Sequence, residues 1–299
     1  MRRNWWVKIL AIAVVLAGTS TVLNGCGKAT RQTNHQIKVV TSTDFYGEVA
    51  KAVLGNKGQV TAVINQPSVD PHDYEPTPKV AKQVHEADVT VANGVGYDSW
   101  MTKLTKDTQA VNIEVGEDLM KKQNGDNPHL WYQPATMPKL AKALAARYGK
   151  LQPQNKTYFN KQADKYIQSL QPIQIELATI KRLAAKQKQR QVYVSEPVFD
   201  YALAATGFKV ANPDFERAVE NESDPSPKSI ARMQTGLKHR QVAFFVVNQQ
   251  VDSPTINHLA ALAKQNHVPV LRVTETLPTG MTYKTWMLSQ YRALAKILA

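Results

Sequence analysis

The chain predicts an α/β architecture of two lobes, each with a mainly parallel sheet, joined by one long rigid helix. Three observations lead there. From residue 37 onward, short β-rich apolar runs alternate with helix-spaced segments, the pattern of βα units around a parallel sheet. Between residues 153 and 190 the alternation stops, and apolar residues step by threes and fours along one stripe. Beyond residue 190 the alternation starts again.

The elements follow in order. IKVVTST (37–43) reads as a buried strand, and FYGEVAKAVLG as a helix that stops at Gly55. QVTAVIN (59–65) is a second strand and TPKVAKQVHEA (77–87) a second helix. DVTVANG (88–94) and AVNIE (110–114) supply two more strands. The stripe of the long helix is Phe159, Ala163, Tyr166, Leu170, Ile173, Leu177, Ile180 and Ala184, and it can lie along both lobes. Pro172 inside it is expected to kink or split the helix, because proline removes one backbone donor and crowds the preceding turn. QVYVS (191–195), QVAFFVVN (241–248) and VPVLRV (268–273) are the later strands. PKSIARMQTGLKH, residues 254–266 and YKTWMLSQYRALAKIL are the later helices. The expected domains are a lobe at 37–150, a linking helix at 151–190 and a lobe at 191–299.

Residues 1–36 stand apart. Arg2, Arg3 and Lys8 flank the run WWVKILAIAVVLAG, too short for a comfortable bilayer span and followed by small residues, which reads as a secretory signal over 1–25. It ends in LNGC, where Cys26 is the single cysteine of 299 residues, so no internal disulfide is open to it. LNGC resembles a bacterial lipobox, which implies lipidation of Cys26, with residues 26–36 as a polar tether. The expected location is then the extracytoplasmic face of the cell membrane, held by acyl chains that each add about 0.8 kcal/mol per buried CH2.

The formal net charge is +13, and residues 1–25 hold three of the basic side chains and no acids. The lysines spread along helical segments such as KLAKALAARYGK without aromatic interleaving, which points to a solvated face rather than a nucleic-acid surface.

Chemistry concentrates at strand ends. In SVDPHDYEPTP (68–78) and DNPHLWYQP (126–134), His72 and His129 each follow a proline in a stiff loop beyond a strand. Ligands of open α/β sheets bind at the carboxyl ends of strands. Glu196 directly follows QVYVS, and Glu275 follows VPVLRVT. Two imidazoles and two carboxylates on facing sheet rims suit manganese, zinc or ferrous iron, whereas calcium takes oxygen alone. The remaining histidines, among them His85 beside Glu86, lie in the tether or on helices and read as solvated.

DPHDYEPTP, NPHLWYQP and the SE of VSEPVF resemble the signatures of the metal-binding lipoproteins of ABC importers, the zinc- and manganese-binding solute-binding proteins, over essentially the whole mature chain. The resemblance implies one divalent transition metal as cargo, Mn2+ or Zn2+, held between the lobes by His72, His129, Glu196 and Glu275. It implies an ABC permease and its ATPase as partners, a monomer, and no enzymatic activity. Glu196 falls where manganese-type members carry Glu and zinc-type members His. The register of Glu275 differs slightly from the pattern, and the Glu220–Asp224 acidic stretch is the alternative source of a fourth ligand. Two departures are SEP in place of SEG, which can move the Glu196 side chain, and the absence of the histidine-rich loop of many zinc-type members. The DPSP at 224–227 is nevertheless of the zinc type, so the two metals stay open.

Two other classes compete. A metal-dependent hydrolase would use His72, His129 and Glu196 as ligands with Glu275 as base. Against it, the chain has no HExxH, nucleophile elbow or phosphate-binding glycine loop. A purely adhesive or structural surface lipoprotein would bind no metal tightly.

Overall fold

β1 (Ile37–Thr43), rich in Val, Ile and Thr, lies at the centre of the first sheet. The computed structural model describes residues 36–299; Cys26, the apolar run ahead of it and the tether up to His35 lie outside the described residues. α1 (Asp44–Leu54) leaves β1 directly and ends at Gly55, whose φ of 59° is the left-handed conformation that glycine adopts without cost. β2 (Gly58–Ile64) then pairs parallel with β1, Ile37 opposite Gly58 and Thr43 opposite Ile64. A Cβ at residue 58 would run into the Ile37 carbonyl, so only glycine permits this close start of the pairing. β3 (Val89–Ala92) and β4 (Val111–Glu114) complete an all-parallel sheet of order β2-β1-β3-β4. The second sheet has the corresponding order β6-β5-β7-β8, from β5 (Gln191–Val194), β6 (Lys209–Val210), β7 (Phe245–Asn248) and β8 (Val270–Val273). Two four-stranded parallel sheets wrapped by helices are the predicted fold class.

The helices start where their sequences signal. α2 (Pro78–His85) has proline in its first turn behind a Thr77 cap. α9 (Pro227–Lys238) and α10 (Pro254–Gln265) repeat the device with Ser226 and Ser253. Between α2 and α9 lie α3 (Ser99–Thr105), α4 (Thr136–Leu151), α5 (Lys156–Ser169), α6 (Gln171–Lys186), α7 (Asp200–Thr206) and α8 (Pro213–Glu220). α11 (Tyr283–Leu298) closes the chain behind a Thr282–Thr285 capping box.

The single linking helix differs in form from its expectation. It is α5 and α6, interrupted at Leu170. Pro172 has no N–H for the residue four before it, so the chain tightens there: Leu170 N–H donates to the Ile167 carbonyl, and Ile173 N–H to that of Leu170. α5 packs on α1 and α4 beside the first sheet, while α6 packs along α11 beside the second. The apolar stripe therefore serves both lobes. The strand read at 241–248 also begins later, at Phe245. No helix among the described residues is long and apolar enough to cross a membrane.

The halves share one core. Phe45 lies 4.9 Å from Trp131 and 5.9 Å from Trp286, centroid to centroid. Tyr132 lies 5.8 Å from Trp286 and 5.0 Å from Phe199, and all five rings are fully or almost fully buried. This aromatic seam runs beneath the strand ends that carry the candidate ligands.

Candidate metal centre

His72 sits in the loop beyond β2. Asp70 Oδ1 accepts a hydrogen bond from the His72 N–H at 2.8 Å, an Asx turn that acts with Pro71 to set the direction of the chain. The imidazole stands edge-on to Tyr97, 4.7 Å between centroids. His129 precedes a short 3-10 turn, Leu130–Tyr132, and is completely buried. Asn127 holds it twice: its Oδ1 accepts from the His129 N–H at 2.9 Å and lies 2.8 Å from Nδ1. The Asn127 amide is itself oriented, because its Nδ2 donates to the Pro197 carbonyl at 2.7 Å. With an acceptor against Nδ1, the neutral ring carries its proton there and leaves the Nε2 lone pair free to bind a metal.

The carboxylates come from the second lobe. Glu196 follows β5 within two residues and is buried, and its Oε2 accepts from Asn248 Nδ2 at 2.8 Å. Asn248 ends β7, the neighbour of β5, so sheet order brings the pair together. Glu275 lies two residues beyond β8. Its N–H donates to Gln250 Oε1 at 2.6 Å, and that of Thr276 to the same oxygen at 3.0 Å. Gln250 Nε2 donates at 2.7 Å to the carbonyl of Pro67, as does Thr276 Oγ1 at 2.9 Å. The loop that carries Glu275 is thereby tied to the segment that leads into His72.

These side chains converge on the floor of a cleft of about 800 Å3 that His72, Glu196, Glu220 and Glu275 line. Glu275 Oε1 is 3.8 Å from His129 Nε2 and 4.0 Å from His72 Nε2. Glu220, at the C-terminal end of α8, places Oε2 4.0 Å from His129 Nε2. His129 Nε2 and Glu275 Oε1 are both buried with no hydrogen-bond partner. An orphaned buried polar atom costs on the order of 1–3 kcal/mol, and a cation placed between these two would satisfy both. Donor atoms around a tetrahedral ion with bonds of 2.0–2.1 Å stand about 3.3 Å apart. The three separations exceed that by roughly 0.5–0.7 Å, and no group of three or more His, Cys, Asp or Glu among the described residues stands in metal-holding geometry.

Electrostatics describe the same gap. Burial pushes the Glu275 carboxyl up to about 8, and Glu196, Glu220 and Asp70 nearby add to it. Glu220 rises to about 8 and Glu196 to about 7, again chiefly by burial. Burial lowers both imidazoles, His129 well below the usual histidine range. At neutral pH the site therefore presents uncharged imidazoles together with the Glu220 and Glu275 carboxyls largely protonated.

The structure brings His72 and His129 to within 4.0 and 3.8 Å of Glu275 and sets Glu196 on the same cleft, held by Asn248. His85, His239, His258 and His267 are exposed, away from the cleft. Three residues escaped sequence reasoning as parts of the centre, Asn127, Asn248 and Gln250, while Glu220 was foreseen only within the Glu220–Asp224 acidic stretch. The polar run NQQ behind the apolar FFVV was the visible signal for Asn248 and Gln250. Pro213 after Asn212, with Asp214 and Glu216 in the first turn, marked the unrecognised helix that ends in Glu220.

Two parallel α/β sheets whose strand ends face one cleft, floored by imidazoles and carboxylates, define a two-lobed solute-binding protein. The family described as zinc-uptake complex component A, periplasmic (ZnuA) matches residues 39–297. The chain belongs to that family. It is 26% identical over 273 residues to the high-affinity zinc uptake system protein ZnuA of Bacillus subtilis (strain 168), covering 83% of each chain. It is 24% identical over 281 residues to the manganese ABC transporter substrate-binding lipoprotein PsaA of Streptococcus pneumoniae, covering 88% of each. Among solved structures, the periplasmic zinc binding protein TroA from Treponema pallidum superposes with a TM-score of 0.72 at 18% identity, covering 89% of this chain and 100% of that one. That likeness bears on the fold.

Proposed function

We propose that this protein captures a divalent transition metal, Mn2+ or Zn2+, in the cleft between its lobes and delivers it to an ABC permease energised by an ATPase. His72 and His129 from the first lobe, with Glu196 and Glu275 from the second, hold the ion. Cys26 anchors the chain by lipid to the extracytoplasmic face of the membrane, and the protein acts as a monomer without catalysis. The observation that carries the reading is the pair of buried, unpartnered atoms His129 Nε2 and Glu275 Oε1, 3.8 Å apart across the lobes. Relatives named for zinc and for manganese uptake support the same cargo class.

Each residue has a task in capture. Asn127 keeps the proton on His129 Nδ1, so that the ligating nitrogen is always ready. Asn248 holds one oxygen of Glu196 and leaves the other for the ion. Gln250 ties the Glu275 loop to Pro67, coupling the two loops that carry Glu275 and His72. Reversible carriage rather than hydrolysis fits a floor whose carboxylates all serve as prospective ligands, none set aside as a base. The test is thermal unfolding of the mature protein with and without Mn2+ or Zn2+. A ligand bound only by the folded state adds about 2.7 kcal/mol at a hundredfold excess over Kd, so Tm should rise by several degrees. His72→Ala, His129→Ala and Glu275→Ala should abolish most of the rise, and the exposed control His85→Ala should retain it. A full rise in His129→Ala would sink the assignment.

A further inference from the structure

Resting on that reading, we propose that Glu220 is an additional ligand, so that the centre offers two nitrogens and three carboxylates and favours Mn2+ relative to a four-ligand zinc site. The starting observation is His129 Nε2, fully buried and without a hydrogen-bond partner. Two carboxylate oxygens approach it at nearly the same distance, Glu275 Oε1 at 3.8 Å and Glu220 Oε2 at 4.0 Å. Glu196 makes no such approach, and one of its oxygens is engaged by Asn248. By proximity to the buried imidazole, Glu220 has a stronger claim than Glu196 to the ion's immediate surroundings.

Glu220 occupies the last position of α8, where the helix dipole disfavours a negative charge. Its side chain is only 19% exposed, and no Lys or Arg among the described residues pairs with it. Once ionised, a carboxylate at the negative end of a helix, largely out of water and close to an imidazole lone pair, is compensated by a cation between the two.

The donor count then bears on the metal. Zinc prefers four ligands, nitrogen and sulfur above all, in a tetrahedron. Carboxylate oxygens and higher coordination suit manganese, and geometry rather than raw affinity discriminates, because zinc outranks manganese at most sites. Five donors on an open cleft accommodate a five- or six-coordinate ion and place three negative charges around it. Removing one carboxylate leaves the four-donor set that zinc accepts readily.

The experiment titrates the mature protein, wild type and Glu220→Gln, with MnCl2 and ZnCl2 under chelator competition, and records the visible absorption of each protein loaded with CoCl2. Glu220→Gln should weaken Mn2+ by about tenfold or more, the scale on which the surroundings of a metal act, while Zn2+ changes much less, so the ratio of the two affinities shifts toward zinc. Wild-type cobalt protein should show the weak absorption of five- or six-coordinate Co2+, and the variant the stronger bands of four-coordination. The cobalt spectrum of the wild type needs no variant to fold: intense tetrahedral bands there overturn the proposal. So does an unchanged Mn2+ to Zn2+ ratio in Glu220→Gln, and in both cases the capture reading survives because metal still binds. Wild-type protein that binds none of the three ions overturns the capture reading and this proposal together.

Discussion

Replacing Asn127 with leucine, a side chain of similar size, removes the residue that orients His129, a proposed metal ligand. The amide makes three contacts, at 2.9 and 2.8 Å to His129 and 2.7 Å to the Pro197 carbonyl. A hydrogen bond contributes about 1 kcal/mol net, and a buried group left unpaired costs about 1–3 kcal/mol. Because His129 is fully buried, Asn127→Leu should lower the stability of the metal-free protein by about 3 kcal/mol. The more telling effect is on binding. Without an acceptor at Nδ1, the neutral ring can shift its proton to Nε2, the atom proposed to bind the metal, and the ring can turn. Loss of such an orienting partner typically weakens metal binding 10–100-fold, about 1.4–2.7 kcal/mol. Urea unfolding gives the first quantity and competitive chelator titration the second. Nitrogen NMR of the labelled imidazole reports the tautomer directly. Asn127→Asp, which keeps an acceptor for Nδ1 but loses the donor to Pro197, should recover most of the affinity and little of the stability. Undiminished metal affinity in Asn127→Leu, with Nδ1 still protonated, would refute the reasoning.

The same floor sets the pH response. The Glu220 and Glu275 carboxyls rise from 4.5 to about 8 on folding, so between those values the folded metal-free protein holds protons that the unfolded chain has shed. Their contribution to its stability is complete below about pH 4.5 and is lost as pH rises through about 8. Metal affinity runs the opposite way, and binding at pH 7 should release protons from the carboxyls rather than from the imidazoles, which are already neutral. Calorimetry in buffers of different ionisation enthalpy checks this, and a buffer-independent heat would contradict it. Gln250→Ala removes the tie between the Glu275 loop and Pro67. It should weaken metal binding about tenfold, chiefly through faster release measured by stopped-flow chelation, with little change in unfolding by urea. An unchanged release rate would reduce Gln250 to a surface contact.

The residues legible in advance share a property: local sequence alone constrains them. Pro71 and Pro128 brace His72 and His129, and the ends of apolar runs at 195 and 273 expose Glu196 and Glu275 as strand-end carboxylates. The sheets were legible for the same reason, since βα alternation is a local pattern. Asn248 and Gln250 were not, because their importance depends on β7 lying between β5 and β8, a matter of strand order. Glu220 depends on where the end of α8 falls relative to a loop some ninety residues earlier, beyond any periodicity. The interruption at Leu170 was half legible: Pro172 announces a break, but only packing shows that each helical segment belongs to a different lobe.

The aromatic seam beneath the ligands restricts how the protein can let go of its cargo. Tyr132, Phe199 and Trp286 interlock across the two lobes. Aromatic side chains bury about 150–250 Å2 each, so at about 25 cal/mol per Å2 full separation of three would cost roughly 11–19 kcal/mol. A jaw-like swing of one lobe from the other would expose part of that area, so the seam resists it. The loops that bear His72 and Glu275 lie outside the seam, which makes them the softer place for cargo to leave while the body behind them stays packed.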